Sequence, residues 1–300
     1  MKRILIIGSM NMDFVFQVHH MPAVGETVLT GDLTFIPGGK GANQAYAAGK
    51  LGGNVAMLGA VGDDEHGRSL CDNLASVGVD VSQIRRVQGV STGVAFIGVN
   101  AEGNNSIIVV QGANRCVDQA YLEENHSLLE ACDIVVMQLE IPLDSVMYAA
   151  KEAKRLGKTV ILDPAPAVRL PEELYQNVDI VKPNEVELGE LLGDPEAHRR
   201  LEESCKRLLD LGAKNVIVTL GGEGCCLCRE DGQCKRFYAD KTVKVVDTTA
   251  AGDSFTAAIA LALAEARSLE EAVEFATKVS NIVVTRKGAQ TSIPSRDEVK

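Results

Sequence analysis

The chain is predicted to be an α/β protein with a doubly wound, mostly parallel sheet flanked by helices and a small β-sheet lid. Three observations predict it. Short Ile- and Val-rich runs bounded by Gly, Asp or Pro recur from end to end, as strands buried on both faces do. Segments of helical period separate them, so successive strands are joined by right-handed crossovers. A second set of strands interrupts this rhythm twice.

The apolar runs lie at 3–8, 54–59, 133–139, 159–163, 179–182 and 215–220, with helices predicted at 41–51, 66–77, 143–156 and 204–211. The last stretch holds two helical patterns in succession. Phe255, Ile259 and Leu263 share one face of the first, read as strongly amphipathic; Ala272, Ala276, Val279 and Val283 share one face of the second. The interrupting strands, 12–18 with 27–36 and 93–100 with 106–111, read as two hairpin-like insertions. Neither can bury two faces alone, so they are expected to pair into an accessory sheet, where a lid or a dimer surface belongs. No repeat, linker or charge block divides the chain. Residues 1–300 are read as one domain, with lid strands from about 11–36 and 92–112.

Three hundred residues with 46% hydrophobic and 24% charged side chains exclude a disordered chain. Lys+Arg 30 against Asp+Glu 41 leaves a net charge of −11, which argues against a nucleic-acid partner. Glycine, at 28 residues, outweighs an aromatic content of 4% and favours sites built from backbone. The apolar run Ile4-Leu5-Ile6-Ile7 is too short for an export signal, and the longest apolar stretch, 257–264, is far below the roughly 20 residues of a membrane span. The expectation is a soluble cytoplasmic protein with no membrane partner. Its eight scattered cysteines form no disulfide framework and are expected to be reduced.

Ligands of open α/β sheets bind at the carboxyl ends of the strands, so the turns after each run carry the chemistry. No dinucleotide fingerprint, P-loop or nucleophile-elbow pattern occurs, which disfavours dehydrogenases, P-loop NTPases and serine hydrolases. Pro37-Gly38-Gly39-Lys40-Gly41-Ala42-Asn43 is a glycine-dense turn entering a helix whose first amides are free, suited to a polyhydroxylated or anionic ligand; an ordinary tight turn is the competing reading. Asp163-Pro164-Ala165-Pro166 ends one strand. Asn184 and Glu187 follow the next at helical spacing, as a helix cap or as a site for water-mediated magnesium or phosphate. The turn Thr219-Leu220-Gly221-Gly222-Glu223-Gly224 is either a phosphate cradle or a simple hairpin.

Val246-Asp247-Thr248-Thr249-Ala250-Ala251-Gly252-Asp253 is the most specific segment. Small residues lead straight into a helix, so the amides of 250–253 are expected to converge on an anion. Asp253 there complements the helix dipole, and it is also suited to accept a proton from a hydroxyl attacking a phosphoryl group.

The glycine run at 38–43 together with Asp247-Thr248-Thr249-Ala250-Ala251-Gly252-Asp253 resembles the two signatures of the ribokinase-like, or PfkB, family of sugar and nucleoside kinases, and the likeness covers essentially the whole chain. Asn11-x-Asp13, Met137-Gln138-Leu139-Glu140 and Thr285-Arg286-Lys287-Gly288-Ala289-Gln290 are similar to its ribose-phosphorylating branch rather than its fructose or adenosine branches. The resemblance implies ATP-dependent phosphorylation of D-ribose at O5, with Asp253 as catalytic base and Asn11, Asp13, Gly39, Lys40, Asn43 and Glu140 holding the sugar. It implies ATP held by Asn184, Thr219, Leu220, Gly221, Gly222, Glu223, Gly224, Gly252 and Asp253, with Thr277 near the adenine and Glu187 organising Mg2+ through water. A potassium site is implied at Asp247, Thr249, Val283, Arg286, Gly288 and Ser292, and a homodimer through the lid.

The sequence departs from the family in two places. Thr277 stands where Asn or His is commoner, and Cys225, Cys226, Cys228 and Cys234 are unusual. The cysteines lack paired C-x-x-C spacing, and alternation along a hairpin accounts for Cys226 and Cys228 on one face without zinc. The rival functions are a kinase for 2-deoxyribose or another pentose, and a non-catalytic sugar-binding regulator.

Overall fold

The structure, a computed structural model, describes residues 1–102 and 104–299. Strand β1 (Arg3–Ile7) leads to a hairpin of β2 (Asn11–Gln17) and β3 (Leu33–Gly38), then helix α1 (Lys40–Lys50) and β4 (Asn54–Leu58). Short β5 (Ala60–Gly62), helix α2 (Glu65–Ala75) and β6 (Arg85–Val87) precede a second hairpin, β7 (Gly93–Val99) and β8 (Asn105–Val110). Helices α3 (Gln119–Glu124) and α4 (His126–Ala131) are followed by β9 (Ile134–Met137), α5 (Leu143–Arg155), β10 (Thr159–Leu162), α6 (Glu172–Gln176), β11 (Ile180–Val181), α7 (Glu185–Leu192), α8 (Leu201–Asp210) and β12 (Asn215–Thr219). The chain then forms β13 (Cys225–Arg229), β14 (Cys234–Phe237), α9 (Ala251–Ala264) and α10 (Leu269–Val283).

The main sheet has eight strands in the order β14-β13-β12-β11-β10-β9-β1-β4. Its pairs are parallel from β4 to β12 and antiparallel at β13 and β14. Strand alternation divides the core in two. Ile4, Ile6, Val136, Ile161 and Ile217 face α1, α9 and α10, while Leu5, Ile7, Val135, Val160 and Val216 face α5 and α8. Each fully buried Ile or Leu contributes about 1.5–3 kcal/mol, so this double burial makes the sheet the rigid part of the molecule.

The six main runs become strands as expected. The last helical pair differs, because α9 is buried on nearly every side rather than amphipathic, sandwiched between α1, α10 and the sheet. Helix α10 buries Ala272, Ala276, Val279 and Val283 on one face, as expected.

A second, four-stranded sheet has the order β3-β2-β7-β8. The two hairpins join through a parallel pairing of β2 with β7, a long-range contact that neither hairpin signals by itself. The strand expected over 27–36 shrinks to β3, since 18–32 carries no ladder. Phe14 sits edge-on between Phe35 and Phe96, with centroids 4.9 and 5.2 Å away, and His66 of α2 joins them at 5.3 Å. This aromatic knot ties the sheet to the main body. Strand β8 is exposed along its whole length despite the sequence Ile107-Ile108-Val109-Val110.

The cysteines require a correction. Cys228 and Cys234 form a disulfide instead of remaining free thiols. They stand directly opposite each other in the β13–β14 register, so their side chains leave the hairpin on the same side. The other six are free. Among the described residues no helix is long and apolar enough to cross a membrane.

Candidate active site

The carboxyl ends of the main strands collect nearly every polar residue singled out in the sequence. Ser9 and Asn11 follow β1, Gln138 and Glu140 follow β9, Asp163 follows β10, Lys182 and Asn184 follow β11, and the 220–224 turn follows β12. The lid hairpin β2–β3 stands over them and delivers Asp13 from β2 and Gly39 at its exit.

Gly39 caps α1 with φ 87°, a left-handed conformation that favours glycine, and a Cβ there would lie 2.7 Å from the Asn11 nitrogen. The first amides of α1 are not free, contrary to expectation. Lys40 N donates to Glu140 Oε2 at 3.1 Å, Gly41 N to Ser9 Oγ at 3.3 Å, and Ala42 N to the Ser9 carbonyl at 2.9 Å. Glu140, itself bound by the Ser9 hydroxyl, therefore caps this helix as well as facing the pocket.

From α1, two amides reach Asp253 in the first turn of α9. Asn43 Nδ2 donates to Asp253 Oδ2 at 2.9 Å, and Gln44 Nε2 lies 3.2 Å from Asp253 Oδ1 and 2.9 Å from Asp163 Oδ2. Each amide is held from behind: Gln290 Nε2 donates to Asn43 Oδ1 at 3.0 Å, and Gln138 Nε2 to Gln44 Oε1 at 2.6 Å. Both oxygens of Asp253 thus have fixed partners in a buried place. Asp163 also pairs with Lys182 at 3.1 Å and accepts from Thr256 at 3.1 Å, while its Oδ1 is buried without a partner.

Charge is dense here. Burial, then the charges of Glu140 and Asp253, push the Asp13 carboxyl up to about 7. Burial works against a charged Lys40, but Asp253, Asp163, Glu140 and Glu187 outweigh it and hold the ammonium above its usual range. Burial and then Asp163 raise Glu187. Asn11, buried under the lid, accepts from Asn114 Nδ2 at 2.7 Å.

Beyond Asp253 opens a cavity of about 670 Å³. Asn184, Thr219, Gly221, Gly222, Glu223, Gly224, Gly252 and Thr277 line it, as expected. Leu220 and Asp253 do not; Leu220 is buried behind the turn. Val243, Val245, Phe255 and Val284 supply apolar walls that no motif indicated. The 219–224 turn is both a hairpin turn, between antiparallel β12 and β13, and a wall of the cavity. Asn184 and Glu187 form a reciprocal capping box at α7, with Asn184 Oδ1 accepting from Glu187 N and Glu187 Oε2 from Asn184 N, both at 2.8 Å.

Helix α9 begins after Ala250, a non-glycine residue with φ 59°. Of the four amides at 250–253, Ala251 N donates to the Thr248 carbonyl, whereas Ala250 N, Gly252 N and Asp253 N have no acceptor among the described residues. Three free amides, not four, therefore stand at the start of α9.

Behind that helix end, Asp247 Oδ1 accepts from Thr249 N and Oγ1 at 2.9 and 2.6 Å, and Oδ2 from Gly288 N at 2.9 Å. Burial works against its charge, but these donors outweigh it and hold the carboxyl below its usual range. Val283, Arg286 and Ser292 lie in the adjoining 283–292 segment. Val283 O accepts from Arg286 N, the Arg286 guanidinium pairs with Glu298, and Ser292 Oγ donates to Ala289 O.

Sequence reasoning gave no role to Gln44, Lys182, Asn114 or Gln290. Gln44 carries no signal in the sequence; the structure buries it fully, one residue after Asn43 on α1, where a glutamine demands polar partners.

The chain matches the model of the pfkB family of carbohydrate kinases over residues 1–296. It is 40% identical to the ribokinase of Schizosaccharomyces pombe, covering 100% of this chain and 97% of that protein. It is 36% identical to a deoxyribokinase of Salmonella typhi over 98% of this chain and 96% of the relative. The structure of an Arabidopsis thaliana ribokinase complexed with ribose and ATP superimposes with a TM-score of 0.93 at 35% identity, covering 99% and 97% of the two chains. By the extent of these matches, the chain belongs to the pfkB family of carbohydrate kinases.

Proposed function

We propose that the protein transfers the γ-phosphoryl group of ATP to the O5 hydroxyl of D-ribose. The observation that carries this reading is the place of Asp253. It stands at the start of α9 beside that helix's free amides, with both oxygens fixed by Asn43 and Gln44, where a buried polar pocket meets an open cavity.

The pocket suits a pentose. Asn11, Asp13, Asn43, Glu140 and Asp253 offer acceptors and donors to several hydroxyls, Lys40 adds a charged donor, and Gly39 lets the chain approach closely. The cavity suits a nucleotide, with glycine backbone at 221–224 and Gly252, apolar walls for the base, and Thr277 in its lining. In the reaction Asp253 takes the proton from O5, an O5 lone pair bonds to the γ-phosphorus, and the bond to the bridging oxygen breaks with its electron pair leaving on ADP. The amides of Gly252 and Asp253 take up charge that develops in transfer. The lid excludes water by covering the pocket.

Two ions fit the residues present. The unpartnered Asp163 oxygen, together with Glu187, whose carboxyl is raised by burial and then by the Asp163 charge, suits Mg2+, which would neutralise phosphate charge when bound. Asp247, with the carbonyl oxygens of Thr249, Arg286 and Gly288 that accept no hydrogen bond among the described residues, suits a large cation such as K+. Val283 and Ser292 complete that set. Such an ion steadies the helix end from behind.

The lid is one layer thick and leaves exposed Phe35, Phe96 and Ile108, which lie in one cross-strand row on the side away from Asp13. A second copy covering this face is the simplest way to remove it from water, so we read the protein as a homodimer through the lid. Sedimentation of Ile108→Lys as a monomer against a dimeric parent would bear this out; a monomeric parent would end it. A requirement for ATP argues for the cytoplasm.

ADP release over a panel of D-ribose, 2-deoxyribose, other pentoses and hexoses, with K+ or Na+, tests the main reading. Ribose with K+ is expected to give the highest kcat/KM. Preference for 2-deoxyribose would reassign the substrate, and no turnover with any sugar would leave only a non-catalytic sugar binder.

A further inference from the structure

The β13–β14 hairpin carries a group of side chains that the kinase chemistry does not use. The Sγ atoms of Cys226, Cys228 and Cys234 all lie within 4.8 Å of one another, and no other three His, Cys, Asp or Glu side chains among the described residues are grouped in this way. Alternation explains the number. Cys226 and Cys228 are two apart on β13 and Cys234 stands opposite Cys228, so all three leave the hairpin on the side packed against α8, whereas Cys225 turns to the other core. Cys226 and Cys228 are buried, and Cys234 is half-buried at the sheet margin, which gives an ion a way in.

We propose that the reduced hairpin is a three-thiolate site for a soft monovalent d10 ion, Cu(I). Three sulfurs about 2.3 Å from a common centre are about 4.0 Å apart in a trigonal plane. The Cys226 and Cys228 sulfurs stand 3.9 Å apart, so one edge of that triangle is already in place. The other two form once the Cys228–Cys234 bond opens and these side chains turn apart. Structural zinc takes four ligands, and Cys205 of the facing helix α8 is not among the mutually close sulfurs. Three soft sulfurs without a fourth donor select Cu(I). Arg236, opposite Cys226 in the register, offsets the negative charge that three thiolates bring to the edge of a core.

The steps balance as follows. A dithiol reductant delivers two electrons and two protons to the Cys228–Cys234 bond and leaves as its own disulfide, giving two thiols. Binding then releases the protons of the three thiols as sulfur–copper bonds form. Oxidation of the hairpin and metal binding are mutually exclusive, since both claim the same two sulfurs.

The test is a Cu(I) titration of the full chain against bicinchoninate, after reduction with dithiothreitol and its removal under anaerobic conditions. One Cu(I) per chain is expected, with a sulfur-only first shell by X-ray absorption, and none on the oxidised protein. Cys226→Ser and Cys234→Ser should each weaken binding roughly tenfold or more. Cys116→Ser, which changes a half-buried free cysteine in the 112–116 turn, should not. Cys234→Ser alters a half-buried residue at a strand end and gives a folded variant even where the buried Cys226 does not tolerate serine. Reduced protein that retains no copper against the chelator, or a Cys234→Ser protein that binds as the parent does, overturns the proposal.

Discussion

The pocket under the lid and the cavity beyond Asp253 lie side by side and are built from opposite materials. The pocket is a closed network of side chains: Gln138 holds Gln44, Gln290 holds Asn43, and these two hold the carboxylate of Asp253. The cavity is mostly backbone and apolar wall, with glycines at 221, 222, 224 and 252 and valines at 243 and 245. A sugar must be recognised hydroxyl by hydroxyl, and each unmatched buried group costs about 1–3 kcal/mol, so its site is fixed in advance. Phosphates are met as well by amides and a helix end as by charged side chains, so a chain of net charge −11 can hold ATP without a basic surface.

This contrast can be broken from either side. The largest effect is expected for Asp253→Asn, which removes the proposed proton acceptor while keeping the shape. Turnover should fall roughly 10²–10⁴-fold with ribose and ATP affinity nearly unchanged, measured by single-turnover kinetics and calorimetry. Near-normal turnover would remove Asp253 from the chemistry. Next comes Gln44→Leu, which frees one oxygen of Asp253 and removes one of the three donors to Asp163 Oδ2. A drop in kcat of about 10–100-fold with an unchanged ATP KM is expected; a loss confined to thermal stability would make Gln44 merely structural.

From the other side, Gly224 has φ 91°, and a Cβ there would lie 2.0 Å from the Phe237 carbonyl. Gly224→Ala must open the β13–β14 hairpin beside the cavity, raising the ATP KM about tenfold while ribose binding by the apoenzyme stays as it was. Equal losses on both sides would show that the two regions are not separable.

The smallest effect is in pH. Asp13, at about 7, is protonated below neutrality in the free protein and ionised above it. Its folded value lies above the usual 3.8, so its contribution to stability is greatest at low pH and is lost as pH rises from about 4 to 7. Ribose hydroxyls bond better to the ionised form, so affinity should rise a few-fold through pH 7. Asp13→Asn should flatten that rise; a profile unchanged in this variant would assign the titration elsewhere.

Much of the main sheet was legible because parallel strands buried on both faces are near-continuous apolar runs, as at β1, β9 and β10. The lid was legible as two hairpins but not as one sheet. The β2–β7 pairing is a contact across some eighty residues, and no local pattern encodes it. In the site, residues at strand ends could be read from position alone, whereas Gln44 could not, since its role comes from what α9 and β10 bring to it. The amphipathic reading of α9 failed for a related reason: packing on α1 and α10 buries the face that the sequence leaves small rather than polar. The Cys228–Cys234 pair depended on the register of a hairpin turn, which residue counting does not give.

The most direct test is the position of the phosphate in the product. The protein incubated with ATP and D-ribose labelled with 13C at C5 should release one ADP per sugar and give a 13C signal at C5 split by phosphorus. A phosphorylated product whose C5 signal stays unsplit, or ADP release that does not depend on the sugar, would contradict transfer to O5.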